Sequence, residues 1–185
     1  VSERAELCQL LGLCNRFTSK SFYKSTEFYP AHRFHDVIGE AGSEVKLASS
    51  RQRVQTLEPP FSRDLRVLAL RTTDSRLEVV MGAVEEGAES SNRAFTVPAR
   101  RVILPTGGPG TDFRRFDSEY LTIIDNAMRW ASGLGEDAPL DLNVVLVGFT
   151  APGTAGIDRD RLYLMQNLGC RVVAISPRAT EAELD

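Results

Sequence analysis

The sequence holds little of what marks the specialised classes of protein. Its 185 residues include three cysteines, Cys8, Cys14 and Cys170. No two of them make a C-x-x-C pair, so neither a disulfide framework nor a zinc-ribbon pattern fits, and an intracellular, reducing setting is the simpler expectation. Long apolar runs are missing too. A run such as Val144 to Val147 falls far short of the roughly 18 to 20 residues needed to cross a bilayer, so a soluble chain is expected. Positive charge is not in excess: 22 Lys and Arg against 25 Asp and Glu leave a formal net charge of −3. That balance argues against the broad basic surface of a nucleic-acid binder and leaves room only for a local patch. Lysine itself is scarce, with only Lys20, Lys24 and Lys46 among the basic residues. Coding composition explains this arginine bias before ion-paired interfaces do.

An initial methionine is absent as well. The chain begins at Val1, and it stops at Asp185 about two turns after Ser176 and Pro177 start a helix well. A processed leader, or a segment of a longer polypeptide, is the expectation from those two ends.

What is present is an ordinary globular composition, 42% apolar and 25% charged. It excludes a wholly disordered or collagen-like chain, and the length suits one domain, or one domain with an arm. Ser2 can cap a helix running to about Arg16, because Leu7, Leu10, Leu11, Cys14 and Phe17 recur at three- and four-residue spacing. From Thr18 to about Asp64 the periodicity fails. Phe22, Tyr23, Phe28, Tyr29, Phe34 and Phe61 are scattered there among polar residues, with short helical pieces near 31–38 and 45–51. Such a stretch reads as a long irregular arm, that is, a functional loop, a linker or a docking segment.

Beyond Pro59 and Pro60 the pattern changes. Arg66 to Arg71 reads as a strand, Thr72 to Ser75 as a turn, and Leu77, Val79, Met81 and Ala83 alternate at period two, which predicts an antiparallel hairpin. A polar loop over 85–92, a piece at 94–97 ended by Pro98, and an apolar run over 102–104 follow. A helix is predicted over Asp117 to Ser132, with Tyr120, Leu121, Ile124, Ala127, Met128 and Ala131 on one face and Gly133 past its end. Leu142 to Gly148 reads as a buried parallel strand, about 158–168 as a helix, and Arg171 to Ile175 as a second strand. Together they predict a C-terminal βαβ unit. The expected fold is therefore α/β with a mixed sheet: an N-terminal helix and arm over 1–64, then a core domain over 65–185 containing the hairpin and the βαβ unit.

Two strand-to-helix loops are the candidate ligand sites. One carries Gly107, Gly108, Gly110, Thr111 and Asp112, the other Thr150, Gly153, Thr154 and Gly156. Glycines let backbone N–H groups approach an anion at a helix N-terminus, as a nucleotide or phosphorylated small molecule would require. The fingerprints are incomplete. Gly148 to Gly153 has Walker spacing, but Thr154 and Ala155 replace its Lys and Ser or Thr, and Pro109 removes a donor from the first loop. Ordinary turn chemistry is therefore the stronger reading.

His32, His35 and Asp36 form the only histidine cluster, a spacing able to place two imidazoles and a carboxylate on one helical face for zinc or as a general base. Nothing downstream completes a metal set, so a structural role outweighs it, and no metal or cofactor is expected. Cys8 and Cys14 read as small buried hydrophobes, and no nucleophile elbow appears. Asp112, Asp125, Asp158 and Asp160 have the ordinary stabilising role of helix acids; Arg100 with Arg101 and Arg114 with Arg115 read as solvated or ion-paired surface. With no catalytic set to name, the first functional expectation is a non-catalytic structural or interaction subunit of a larger assembly, such as a capsid-like shell or multisubunit complex. Its partners would be other protein chains, like or unlike, met by Tyr23, Phe28, Tyr29 and Phe34. The alternative is a small α/β enzyme or ligand-binding domain using the two glycine loops on a small anionic ligand.

Overall fold

The computed structural model describes residues 11–20, 27–42, 44–46, 54–73, 76–105, 117–140, 142–147 and 169–175. The chain divides into two compact units. The first comprises Val1–Thr111 and Arg115–Glu136, the second Asp112–Arg114 and Asp137–Asp185.

The first unit is built on a seven-stranded sheet in which every pairing is antiparallel. Its centre is the hairpin of β5 (Arg66–Thr73) and β6 (Arg76–Val84), paired from Thr73↔Arg76 to Arg66↔Ala83. On the far side of β6 lie β4 (Val54–Phe61), through Leu57↔Val79, and β7 (Arg101–Ile103), through Gly82↔Ile103 onward. β1 (Cys14–Lys20) extends the sheet beyond β4, while β2 (Glu27–Pro30) and then β3 (Val45–Lys46) extend it beyond β5.

This arrangement overturns the α/β class and two of its parts. The expected helix from Ser2 to Arg16 is not shown: residues 1–10 lie outside the described residues, and Cys14 to Arg16 belong to β1. Gly12 explains the break, because its φ of +75° is a left-handed conformation that no continuing helix contains. The expected irregular arm is likewise replaced, since Thr18 to Asp64 contributes the end of β1 and all of β2, β3 and β4. β2 and β3 are too short to show a period. In β4, Pro59 and Pro60 disguise the strand; they sit where its register to β1 slips, between Arg16↔Glu58 and Cys14↔Phe61. One extra residue on β4 at that bulge leaves room for residues that have no N–H to donate.

The hairpin itself carries a bulge on each strand, at Leu68 and at Val80, both fully buried. These slips disturb a simple alternation. Leu77 is 70% exposed while Glu78 is buried, and Val80 to Val84 are buried without a break.

A single described helix, α1 (Ser118–Ser132), packs onto this unit. Asp117 caps it, its side chain accepting from the Glu119 N–H at 3.1 Å. Gly133 ends it with φ +68°, and the Leu134 N–H returns to the Arg129 carbonyl at 2.9 Å. Tyr120, Ile123, Ile124, Ala127 and Trp130 form its buried face. Phe28 meets Tyr120 edge to face with centroids 5.7 Å apart, and the Tyr120 hydroxyl donates to the Pro105 carbonyl at 2.8 Å. Burial pushes the Tyr120 phenol well above its usual pKa.

A second packing centre gathers Leu13, Val84, Ala88 and Val97, with Leu11, Leu65, Phe95 and Ile103 against it. The polar segment after β6 folds back here as a small closed turn. The Gly87 N–H donates to the Val97 carbonyl, the Val97 N–H to the Ala88 carbonyl, and the Ser90 hydroxyl accepts from the Phe95 N–H. It is stitched to distant chain: the Ser91 N–H donates to the Gly12 carbonyl (2.8 Å), the Ser62 N–H to the Leu13 carbonyl (2.9 Å), and the Ser62 hydroxyl to the Glu89 carbonyl (2.6 Å).

In the second unit, β8 (Asn143–Val147) and β9 (Arg171–Ile175) pair in parallel, from Asn143↔Arg171 to Val147↔Ile175. The helix expected between them lies outside the described residues, so a C-terminal βαβ unit is not shown. The described architecture is a mainly antiparallel sheet with one helix. No helix among the described residues is long and apolar enough to cross a membrane.

Candidate functional site

The segment between β2 and β3, residues 31–42, is irregular yet held by its own hydrogen bonds. The Ala31 N–H reaches back to the Leu68 carbonyl (2.8 Å), and the Ile38 and Gly39 N–H groups both donate to the His35 carbonyl (2.8 and 3.0 Å). The Gly42 N–H donates to the Glu119 carboxylate on α1. Val37 and Ile38 are fully buried, which roots the segment in the core. Between these anchors Phe34 is 95% exposed.

On either side of Phe34 in the chain, His32 and His35 belong to a cluster of rings. His35 is buried, and its imidazole sits 5.1 Å from the Trp130 ring and 5.7 Å from that of His32. Its Nδ1 accepts from the Val37 N–H at 3.2 Å, which fixes the remaining ring proton on Nε2. The His32 Nδ1 is buried and accepts no hydrogen bond. The Arg100 guanidinium lies over Trp130, 5.3 Å from the centroid; its Nη1 donates to the Trp130 carbonyl (3.1 Å) and its Nε pairs with Glu85 (3.0 Å). Burial holds the His35 pKa below the usual imidazole value; His32 and Arg66 act in the same direction, against Asp36 and Glu85.

The sequence candidates fall in different places. Gly107, Gly108, Gly110, Thr111, Asp112, Thr150, Gly153, Thr154, Gly156 and Tyr23 all lie outside the described residues. Phe28 is 2% exposed and packed on Tyr120, whereas Tyr29, its neighbour in β2, is 42% exposed, and Phe34 almost wholly so. His32, His35 and Asp36 are brought together, but among the described residues no group of three potential ligands could hold a metal ion. Cys14 and Cys170 are buried. Asp125 pairs with Arg129 at 2.7 Å on α1.

Sequence reasoning missed Trp130, Arg100 and Glu85 as members of the cluster. The helix face drawn through Leu121, Met128 and Ala131 was turned too far. The buried set Tyr120, Ile123, Ile124, Ala127 and Trp130 has the spacing i, i+3, i+4, i+7, i+10, and the chain's single tryptophan closes that series. A shallow groove of about 510 Å³ that shares Glu85 with the cluster is lined by Arg63, Asp64, Arg66 and Glu86 together with Leu65, Gly87 and Ala88. Its mixed, exposed charge selects no ligand class.

The chain matches no protein-family model, and comparison with curated proteins and with solved structures finds no match. Chemically, the cluster is a poor reaction centre, because one imidazole nitrogen is occupied by a backbone donor and the rings are packed against each other. It is well suited to holding a rigid surface feature in place.

Proposed function

We propose that this chain is a non-catalytic assembly subunit, and that it associates with a second copy of itself through the turn that presents Phe34. The observation that carries this reading is the 95% exposure of Phe34 on a segment otherwise rooted by buried Val37, Ile38 and His35. The hydrogen-bonded turn has already ordered the backbone beneath the ring, so docking costs the side chain's own rotamer freedom, and burying the ring is worth about 1.5–3 kcal/mol. The surrounding charge favours a like partner. Arg33 precedes Phe34, and Asp36 and Glu40 follow it, all exposed, so a two-fold arrangement sets Arg33 of each copy against the acids of the other. Tyr29 adds half-exposed aromatic surface from β2. An intracellular setting belongs to the same reading, supported by the low cysteine count and the absence of a C-x-x-C pair in the sequence.

Sedimentation of the 185-residue chain over a concentration series tests it. The expected result is reversible self-association that Phe34→Ser abolishes without lowering the melting temperature, and that Arg33→Glu weakens and Arg33→Glu with Asp36→Arg restores. A wild-type chain that stays monomeric up to about 100 μM, where a contact is worth less than roughly 5.5 kcal/mol, overturns the proposal. So does an association that Phe34→Ser leaves intact.

A further inference from the structure

The same segment has a feature that self-association does not require: one hydrogen bond that shapes its turn, beside the His35 contact with Trp130, is accepted by a neutral histidine. The Val37 N–H is satisfied by the lone pair on the His35 Nδ1, at 3.2 Å. A proton from solvent would occupy that lone pair, turn Nδ1 into a donor, and set two N–H groups against each other inside a buried turn. The backbone N–H would then need water, and so would the new imidazolium.

The charged surroundings of His35 do not offer the cation a ready counter-ion. From its own segment it faces His32, edge to face at 5.7 Å, and Asp36, which is exposed and therefore screened by solvent. Glu85, at the end of β6, acts on it from a distance but is already paired with Arg100 at 3.0 Å. Arg66, at the start of β5, repels it. α1 contributes the Trp130 ring. That aromatic surface would attract an imidazolium, but the Arg100 guanidinium lies over it at 5.3 Å, so two cations would share one indole. The Nδ1 of His32 is buried and accepts nothing, so it offers the neighbouring ring no hydrogen bond.

We propose that residues 31–42 form an acid-released clasp, in which proton uptake by His35 breaks the Val37 contact, lifts the segment from Trp130 and withdraws Phe34 from its presented position. The consequence for Phe34 rests on the proposed self-association; the clasp does not.

Trp130 is the chain's single tryptophan, so its fluorescence reports this site alone. The 185-residue chain is titrated from about pH 8 to about pH 4.5, a span on either side of the ordinary imidazole pKa. A reversible change in Trp130 emission is expected with a midpoint below 6.5, complete before the far-ultraviolet circular dichroism of the sheet changes. His35→Gln should abolish it. His32→Gln should keep it and raise the midpoint, and Glu85→Gln should keep it and lower the midpoint, shifts that a purely structural role for either residue would not produce. If His35→Gln does not fold, the Cε1 proton resonance of His35 in the wild-type chain gives the midpoint directly. A Trp130 signal flat until global unfolding, an unchanged transition in folded His35→Gln, or a His35 midpoint at or above 6.5 overturns the clasp. Sedimentation above and below the midpoint decides the linked part. Association lost in acid by the wild type and retained by His35→Gln supports it. A chain monomeric at every pH removes the role of Phe34 while the fluorescence result stands.

Discussion

Gly12 sets the tolerance of this structure at the level of one atom. Its φ is +75°, and a Cβ built there would stand 3.1 Å from Val97 Cγ2, 3.3 Å from Ser90 Cβ and 3.4 Å from the Phe95 ring. Val97 and Ser90 are buried, so neither can swing aside. Gly87 has a comparable φ of +85° with nothing within 4 Å of the position. The two therefore separate backbone strain from crowding. Gly87→Ala is expected to lower unfolding free energy by about 1 kcal/mol, the left-handed penalty alone, and Gly12→Ala by about 2–4 kcal/mol once overpacking is added. Urea denaturation of both variants measures the difference. The sequence pattern carries Gly12 into a helix and Gly87 into a polar loop, because what constrains Gly12 is chain about eighty residues away. Phe34 and Phe28 show the same limit. Both looked like docking aromatics, yet one lies in the core and the other in solvent, a distinction fixed by where β2 falls in the sheet.

Among the elements, α1 was readable and the flanking strands were not, for a physical reason. A helix carries its pattern within itself: Asp117 at the cap, Gly133 at the end, and apolar residues every three or four positions. A strand shows its pattern only when one face is buried and the register is regular. β1 and β4 meet across a proline-filled bulge, β3 has two residues, and the hairpin changes phase twice, so period-two counting placed Leu77 in the interior when it is exposed. Of the ring cluster, the two histidines were visible from their spacing, while Trp130, Arg100 and Glu85 arrive from three other places in the chain. The helix is tied to the segment after β7 by one buried hydroxyl. Tyr120→Phe removes the donor and leaves the buried Pro105 carbonyl without it, at an expected loss of about 1–2 kcal/mol. Thermal unfolding followed at the Trp130 emission checks this, with the native spectrum unchanged because the ring still fills its site against Phe28.

For the molecule as a whole, the lowered pKa of His35 makes stability depend on pH with a definite sign. The unfolded chain takes up its proton near the ordinary value of 6.5, and the folded chain only below that. The unfolded state therefore binds more protons in between. Stability from this group is fully present above about pH 6.5, falls as pH drops from there, and levels off once the folded chain is protonated too. Urea midpoints for the wild type are expected to decline across that window, and those of His35→Gln to lack this component. A wild-type midpoint that rises on acidification through the window contradicts the sign.

The sheet order β1-β4-β6-β5-β2-β3 also says something about time. Only β5 and β6 are neighbours both in the chain and across a tight turn. β1 must find β4 from Cys14 to Phe61, β2 must find β5 from Tyr29 to Leu70, and the turn carrying Ser91 must find Gly12. Each of these closes a loop of dozens of residues before any contact rewards it. The hairpin is thus the piece that can form first, and the first third of the chain threads onto both of its sides afterwards. Topologies dominated by such distant pairings reach their native state in roughly milliseconds to seconds, with sheet edges open to neighbouring chains in the meantime.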